Sequence, residues 1–285
     1  MKQWKSPIPT NVHLIWIGDN PMPDFMELFL ITFRKYMPEF NIKVWNDNDL
    51  NRTNFPKTYN YILKSKKVHG SHIEDEDGYK MYDKQMNPIV HSKFAQITDL
   101  MRLEILYNHG GYYFDVNFEL LKPMYNLLNK PKYTFVGCNE IPRFKNFHSL
   151  SNSFFGATKK NPILKRALLK STLNKIDFHD PRVDYQTGPG FLRRNILDND
   201  NIFIFPTKYF YPFVERYSPT QKNPPYRKSK KNKCHSDKRR RGYTKLNNKK
   251  GYIKYPCNKY PESFAIKRWD LGKSWLNFLE YNIIE

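Results

Sequence analysis

The sequence predicts an α/β fold with a mainly parallel central sheet and flanking helices. Three observations predict it. Short strands of β-branched and aromatic residues alternate with helical patterns from the N-terminus onward, the order that builds a parallel sheet. The double glycine Gly110-Gly111 stands between a long amphipathic pattern and the aromatic run Tyr112-Tyr113-Phe114, so a helix passes directly into a strand. A chain of 285 residues with 16% aromatics can bury a sizeable core, and this length suits one domain.

Taken in order, Ile8 to Ile17, containing Val-His-Leu-Ile-Trp-Ile, reads as a buried first strand, and Gly18-Asp19-Asn20-Pro21 as a turn. Asp24 to Tyr36 is an amphipathic helix that stops before Pro38. Asn41 to Trp45 is a second strand, followed by Asn46-Asp47-Asn48-Asp49. That acidic cluster either meets ligand hydroxyls or caps the next helix, and capping is the preferred reading. Residues 51–91 are polar and irregular around Glu74-Asp75-Glu76-Asp77-Gly78, which lacks the spacing of a calcium loop. They predict a solvated helical or loop subdomain, in which His69, His72 and His91 have no ligand-like spacing. Ser92 is the expected N-cap of the next helix, whose apolar stripe is Phe94, Ile97, Met101, Ile105 and Leu106. After the aromatic strand, Tyr133 to Gly137 and Ser151 to Ala157 are strands, and Asn161-Pro162 opens a helix as N-cap and first position. Thr187-Gly188-Pro189-Gly190 reads as a turn before a helix at Phe191 to Leu197, and Ile202 to Phe205 as a further strand.

Asp115 and Asn117 follow the aromatic strand two residues apart. In a continuing strand they point to the same side, at a carboxyl end where open α/β sheets bind ligands. Asp99 and Arg102 share a helix face one turn earlier. Each pair alone is an ordinary ion pair or turn. Helix, double glycine, aromatic strand and Asp-x-Asn together point to a site.

The run Thr98 to Asn117 resembles the core signature of the family 32 glycosyltransferases, s-D-x-x-R-x-x-x-L-x-x-x-G-G-x-Y-x-D-x-D. That family groups mannosyltransferases with capsular-polysaccharide sugar transferases, and the sugar-binding segment of the clostridial glucosylating toxins is more distantly similar. The chain matches at Asp99, Arg102, Leu106, Gly110, Gly111, Tyr113 and Asp115, and departs at Asn117, where the family has its second aspartate. The resemblance extends to Ile8, Pro9, His13, Trp16 and Gly18, to Asn152, to Thr187-Gly188-Pro189, and to Phe210-Tyr211-Pro212. It reaches the C-terminal segment Phe264 to Trp269 with Ser274-Trp275, where Lys267 falls at a family histidine. Residues 51–91 and 217–260 lie outside it.

The resemblance implies a GT-A type, Rossmann-like nucleotide-sugar-binding fold and transfer of a hexosyl unit from a UDP- or GDP-sugar, with retention, to a glycan or protein acceptor. It implies a donor site of Ile15, Trp16, Ile17, Thr98, Asp99, Arg102, Tyr113, Asp115, Asn117, Ser274 and Trp275. Trp16 is the candidate for stacking on the nucleotide base; core packing is its other use. Asp99, Arg102, Asp115 and Trp275 would carry the chemistry, with Asn152, Thr187 and Gly188 on the acceptor side. A divalent cation, Mn²⁺ or Mg²⁺, held by Asp115 and Asn117, is the family's expected cofactor. Asp to Asn and neutral His to Lys make the pocket about two charge units more positive, the charge such an ion would bring. Three outcomes are open: Lys267 replaces the cation, activity is lost, or Asn117 still coordinates through its carbonyl.

Net charge is +21. Residues 222–254 hold fourteen Lys and Arg against one Asp, so this basic insert, expected to be flexible, carries most of the excess. Polyanion contact is the partner class it suggests, and nucleic-acid binding through it is an alternative function, although it contains no known nucleic-acid motif. A catalytically weak nucleotide-sugar-binding protein is the other alternative. Cys138, Cys234 and Cys257 form no C-x-x-C pair and are read as free thiols in a reducing compartment. The N-terminal residues lack the apolar core of a signal peptide, and no apolar stretch is long enough to span a membrane, so a cytoplasmic location is expected.

Overall fold

A computed structural model describes residues 3–18, 21–22, 24–68, 94–140, 150–173, 183–211 and 261–267. Strands β1 (Asn11–Ile15), β2 (Asn41–Trp45), β3 (Gly111–Phe114), β5 (Phe135–Asn139), β6 (Leu150–Ala157) and β7 (Ile202–Phe205) form one sheet in the order β2-β1-β3-β6-β5-β7. All pairings are parallel except those of β6 with β3 and β5. The sheet is mainly parallel, as the sequence predicts, and the structure adds one reversed strand, β6, inside it. A separate two-stranded ribbon pairs β4 (Phe118–Leu120) with β8 (Ala265–Lys267).

Helix α1 (Asp24–Tyr36) and strands β2 and β7 match their expected bounds, while β1 is shorter than the apolar run that announced it. Alternation splits the core into two layers. Val12, Leu14, Tyr112, Phe114 and Phe154 join Met26, Phe29 and Phe33 of α1 on one face. Ile15, Tyr113 and Phe155 join Ile97, Met101 and Ile105 of α3 (Phe94–His109) and Leu164 and Leu168 of α5 (Pro162–Leu173) on the other. Asn161 caps α5, its Oδ1 accepting from Ile163 N at 3.0 Å. The expected Ser92 cap lies outside the described residues.

Two expectations are corrected. Residues 51–68 are not merely solvated. They form α2 (Tyr59–Val68), bury Phe55, Thr58 and Ile62, and dock on α3. Glu104 of α3 fixes the dock by accepting from Lys57 N, Thr58 N and Thr58 Oγ1 at 2.8, 2.8 and 2.6 Å. Residues 69–91, with the acidic run and the three histidines, lie outside the described residues, as do 222–254. Second, the helix expected at Phe191 to Leu197 starts earlier and is shorter: α7 spans Pro189–Arg193, preceded by α6 (Val183–Gln186), with Gly188 as its N-cap. Pro189 at the first position sets the start, because its fixed φ suits a helix opening. The short α4 (Tyr125–Leu128) follows the ribbon strand β4.

The helix-to-strand turn positions the site. Gly110 (φ 67°) and Gly111 (φ 106°) both take backbone conformations that side chains disfavour. A Cβ on Gly111 would lie 2.4 Å from the carbonyl oxygen of Asn11 in β1. His13 of β1 bolts the turn: its Nδ1 accepts from Trp45 Nε1 at 3.2 Å, so its Nε2–H donates to Gly110 O at 3.0 Å. Burial pushes the His13 pKa down to about 4, which keeps this ring neutral.

Candidate functional site

The strand β3 delivers Asp115 immediately past its carboxyl end, where Asp115 N still donates to Ser153 O of β6 at 2.8 Å. Asn117 does not continue the strand. Residues 115–118 form a turn, closed by Phe118 N donating to Asp115 O at 3.3 Å, and Asn117 is buried within it. The expected side-by-side presentation on one strand is thus replaced by a turn into β4.

Asp99 and Arg102 of α3 face this turn. Arg102 is the hub. Its Nη1 donates to Asn152 O at 2.8 Å, its Nε to Thr98 O at 3.1 Å and its Nη2 to Thr98 Oγ1 at 3.2 Å. Its guanidinium lies 3.4 Å from an oxygen of each carboxylate, Asp99 and Asp115, and 4.4 Å from the Tyr113 ring centroid. Asp99 accepts from Asn152 Nδ2 at 2.7 Å and from Thr187 Oγ1 at 3.0 Å. Even so, burial pushes its pKa up to about 6, against the pull of Arg102.

Asp115 is the member that faces solvent, with 26% of its side chain exposed. Tyr113 O–H donates to its Oδ1 at 2.8 Å, and the Lys267 ammonium donates to its Oδ2. Burial would raise this carboxyl, but Lys267, Arg102 and the Tyr113 hydroxyl outweigh it and hold the pKa below the usual range. Lys267 is 4% exposed, and its ammonium lies 5.4 Å from the Phe118 ring centroid. Burial pushes its pKa down, and Asp115 pulls it back. It arrives through the ribbon, where Lys267 stands opposite Phe118 and its N–H donates to Phe210 O at 3.1 Å.

Of the residues singled out in the sequence, Thr98, Asp99, Arg102, Tyr113, Asp115, Asn152 and Thr187 form one connected network. Asn117 begins the link to β4, and Gly188 adjoins Thr187. Ile15 and Ile17 are buried at the end of β1, while Trp16 is half-buried, its backbone N–H donating to Trp45 O at 2.9 Å. Asp47 Oδ2 accepts from Gly18 N at 2.6 Å, and Asn46 and Asp49 form the expected capping box. Ser274 and Trp275 lie outside the described residues. Local pattern did not point to Phe118 or Tyr211. Tyr211 O–H pairs with Ser153 Oγ at 2.9 Å beside the strand end; a signal for it lay in the aromatic pair before Pro212.

A divalent cation does not fit the donor set that the described residues supply. Both oxygens of Asp115 already meet donors, one of them an ammonium. Asn117 supplies no charge, and among the described residues no group of three or more His, Cys, Asp or Glu is arranged to hold a metal.

Residues 23–135 match the family described as the glycosyltransferase sugar-binding region containing the DXD motif; such proteins generally use a divalent cation. A "Toxin" of Photorhabdus asymbiotica is 26% identical over 172 residues, covering 57% of this chain and 6% of that protein. Inositol phosphoceramide mannosyltransferase 1 of Schizosaccharomyces pombe is 33% identical over 109 residues, covering 37% of this chain and 32% of that protein. The chain thus spans a minor share of these curated relatives. Among solved structures, the PaToxG glycosyltransferase is similar at 22% identity with a TM-score of 0.43, over 67% of this chain and 69% of that one. The UDP-bound glycosyltransferase domain of the YGT toxin is similar at 11% identity with a TM-score of 0.43, over 70% and 80% respectively. The resemblance read from the sequence holds in this region, and the fold is α/β with a mainly parallel central sheet.

Proposed function

We propose, from the match of residues 23–135 to a glycosyltransferase sugar-binding region, that this chain moves a hexosyl unit from a UDP- or GDP-sugar to a glycan or protein acceptor, with retention. The observation that carries the reading is the Arg102 hub, which joins the two motif carboxylates, Asp99 and Asp115, at the carboxyl end of β3.

In the reaction, the bond between the anomeric carbon and the diphosphate oxygen breaks, and its electron pair leaves with the diphosphate. The acceptor hydroxyl oxygen bonds to the same face of that carbon, and its proton passes to a diphosphate oxygen. Asp115 meets the ribose or sugar hydroxyls first, being the exposed member. Asp99 accepts hydrogen bonds from sugar hydroxyls in exchange for those from Asn152 and Thr187. The fork of Arg102 suits paired sugar and phosphate oxygens, and aligning the donor supplies much of the rate enhancement. Trp16, with Ile15 and Ile17, receives the base; Ser274 and Trp275, which the family resemblance adds to the donor site, lie outside the described residues. Asn152 and Thr187 face the acceptor side and act through Asp99, with Gly188 beside Thr187.

The test is a hydrolysis screen of UDP- and GDP-hexoses with and without Mn²⁺. Wild type should release diphosphate from at least one donor, and a folded Arg102→Lys variant, which keeps the charge but loses the fork, should be slower by at least about tenfold. The contact of Lys267 with Asp115 also fits a protein that binds the donor without turning it over. Donor binding with no diphosphate release under any condition would mark that case.

A further inference from the structure

We infer that the Lys267 ammonium stands where a DXD glycosyltransferase uses a divalent cation, so that this chain binds its donor diphosphate without a metal. The inference rests on the donor-site reading above.

Three observations meet at one point. The first is the change in ligands. A DXD pair offers two carboxylates to a hard cation, whereas here the third position is Asn117. The second is the position of Lys267. Its ammonium donates to Asp115 Oδ2, an oxygen such a cation would need, and it is 4% exposed. The pairing of β8 with β4 sets Lys267 opposite Phe118, one residue beyond Asn117. This lysine is therefore placed by backbone hydrogen bonds and is not a long surface side chain that wandered in. The third is the charge balance. Asp99 and Asp115 lie against Arg102 and Lys267, and Glu140 is a further carboxylate acting on Lys267. A divalent ion added beside Asp115 would stand next to an ammonium and a guanidinium, where the family's second aspartate is an uncharged amide. Restoring the aspartate and removing the lysine charge would leave that same cluster two units more negative, which a divalent ion neutralises.

The ammonium can do part of what the ion does. As the diphosphate leaves, negative charge grows on its oxygens, and a fixed, desolvated cation stabilises that charge without first shedding a hydration shell. Lys267 keeps its proton throughout and forms no covalent bond. As a point charge it orients oxygens less firmly than a coordinated ion, and Arg102 supplies the directional contacts.

The test is calorimetric binding of UDP and of GDP to the full chain in EDTA and in Mn²⁺, alongside hydrolysis of the matching sugar donors. Wild type should bind one of the two equally well in both buffers, within about threefold, and hydrolyse its donor in EDTA. Lys267→Met should weaken binding in EDTA by at least about tenfold, with Lys267→Arg losing less. Asn117→Asp combined with Lys267→His should make binding depend on Mn²⁺. Wild-type binding that is abolished by EDTA and restored by Mn²⁺ would overturn the inference and leave the glycosyltransferase reading standing; this arm needs no variant. Failure of every UDP- and GDP-linked ligand to bind or be hydrolysed in either buffer would overturn that reading, and the inference with it.

Discussion

Asp99 is a carboxylate that folding prefers to keep protonated, since burial lifts its pKa from 3.8 to about 6. Between those values the folded chain holds a proton that the unfolded chain has released, so the group's contribution falls as pH rises. Asp99→Asn has no such proton. The stability of wild type relative to Asp99→Asn should therefore drop by about 3 kcal/mol between pH 3.8 and 6 and level off above, measured by urea unfolding of both proteins. A flat difference would show that Asp99 ionises as easily as an exposed aspartate. Asp115 has the opposite balance. Its removal leaves two buried cations, Arg102 and Lys267, facing each other, and Asp115→Ala should cost about 3–5 kcal/mol. The double variant Asp115→Ala/Lys267→Met should recover much of that loss, and simple additivity of the two single changes would contradict the pairing. Asp99, Arg102 and Asp115 were legible in the sequence because helix and turn place them by local spacing. Lys267 sits 152 positions from Asp115, and only the resemblance of the C-terminal segment hinted at its place.

At the scale of elements, the helix–glycine–strand unit was the most legible part, because its glycines are required by φ and by close approach to β1. Gly111→Ala should prevent folding or lower Tm severely, as its Cβ would overlap the Asn11 carbonyl. A Gly111→Ala protein melting near wild type would mean that β1 and β3 can part there. The ribbon of β4 and β8 was not legible, since three-residue strands carry no periodicity of their own. The dock of α2 on α3 was missed for another reason. Glu104 looks like any solvent-facing helix residue, yet it is buried and satisfies three donors 46 and 47 positions away. Glu104→Ala should destabilise the fold by about 1–3 kcal/mol in urea unfolding while leaving donor turnover per folded molecule unchanged. An equal loss of turnover would tie that dock to the donor site.

At the scale of the molecule, the six-stranded sheet with helices on both faces holds the motif residues at the end of β3. Among the described residues no helix is long and apolar enough to cross a membrane. The net charge of +21 is concentrated in residues 222–254, and their deletion should lower the salt concentration needed to elute the protein from heparin. Unchanged elution would place the polyanion-binding surface elsewhere. The alternating strands and helices announced the layered sheet, but not its order, because long-range pairing leaves no local trace. The central claim is that Asp115, at the end of β3, serves a nucleotide-sugar donor. It is tested most directly by the rate of diphosphate release from a panel of UDP- and GDP-hexoses, compared between wild type and a folded Asp115→Asn variant. The account predicts release from at least one donor by wild type and a rate lower by about 100-fold or more in the variant; equal rates in the two proteins, or no release from any donor, would contradict it.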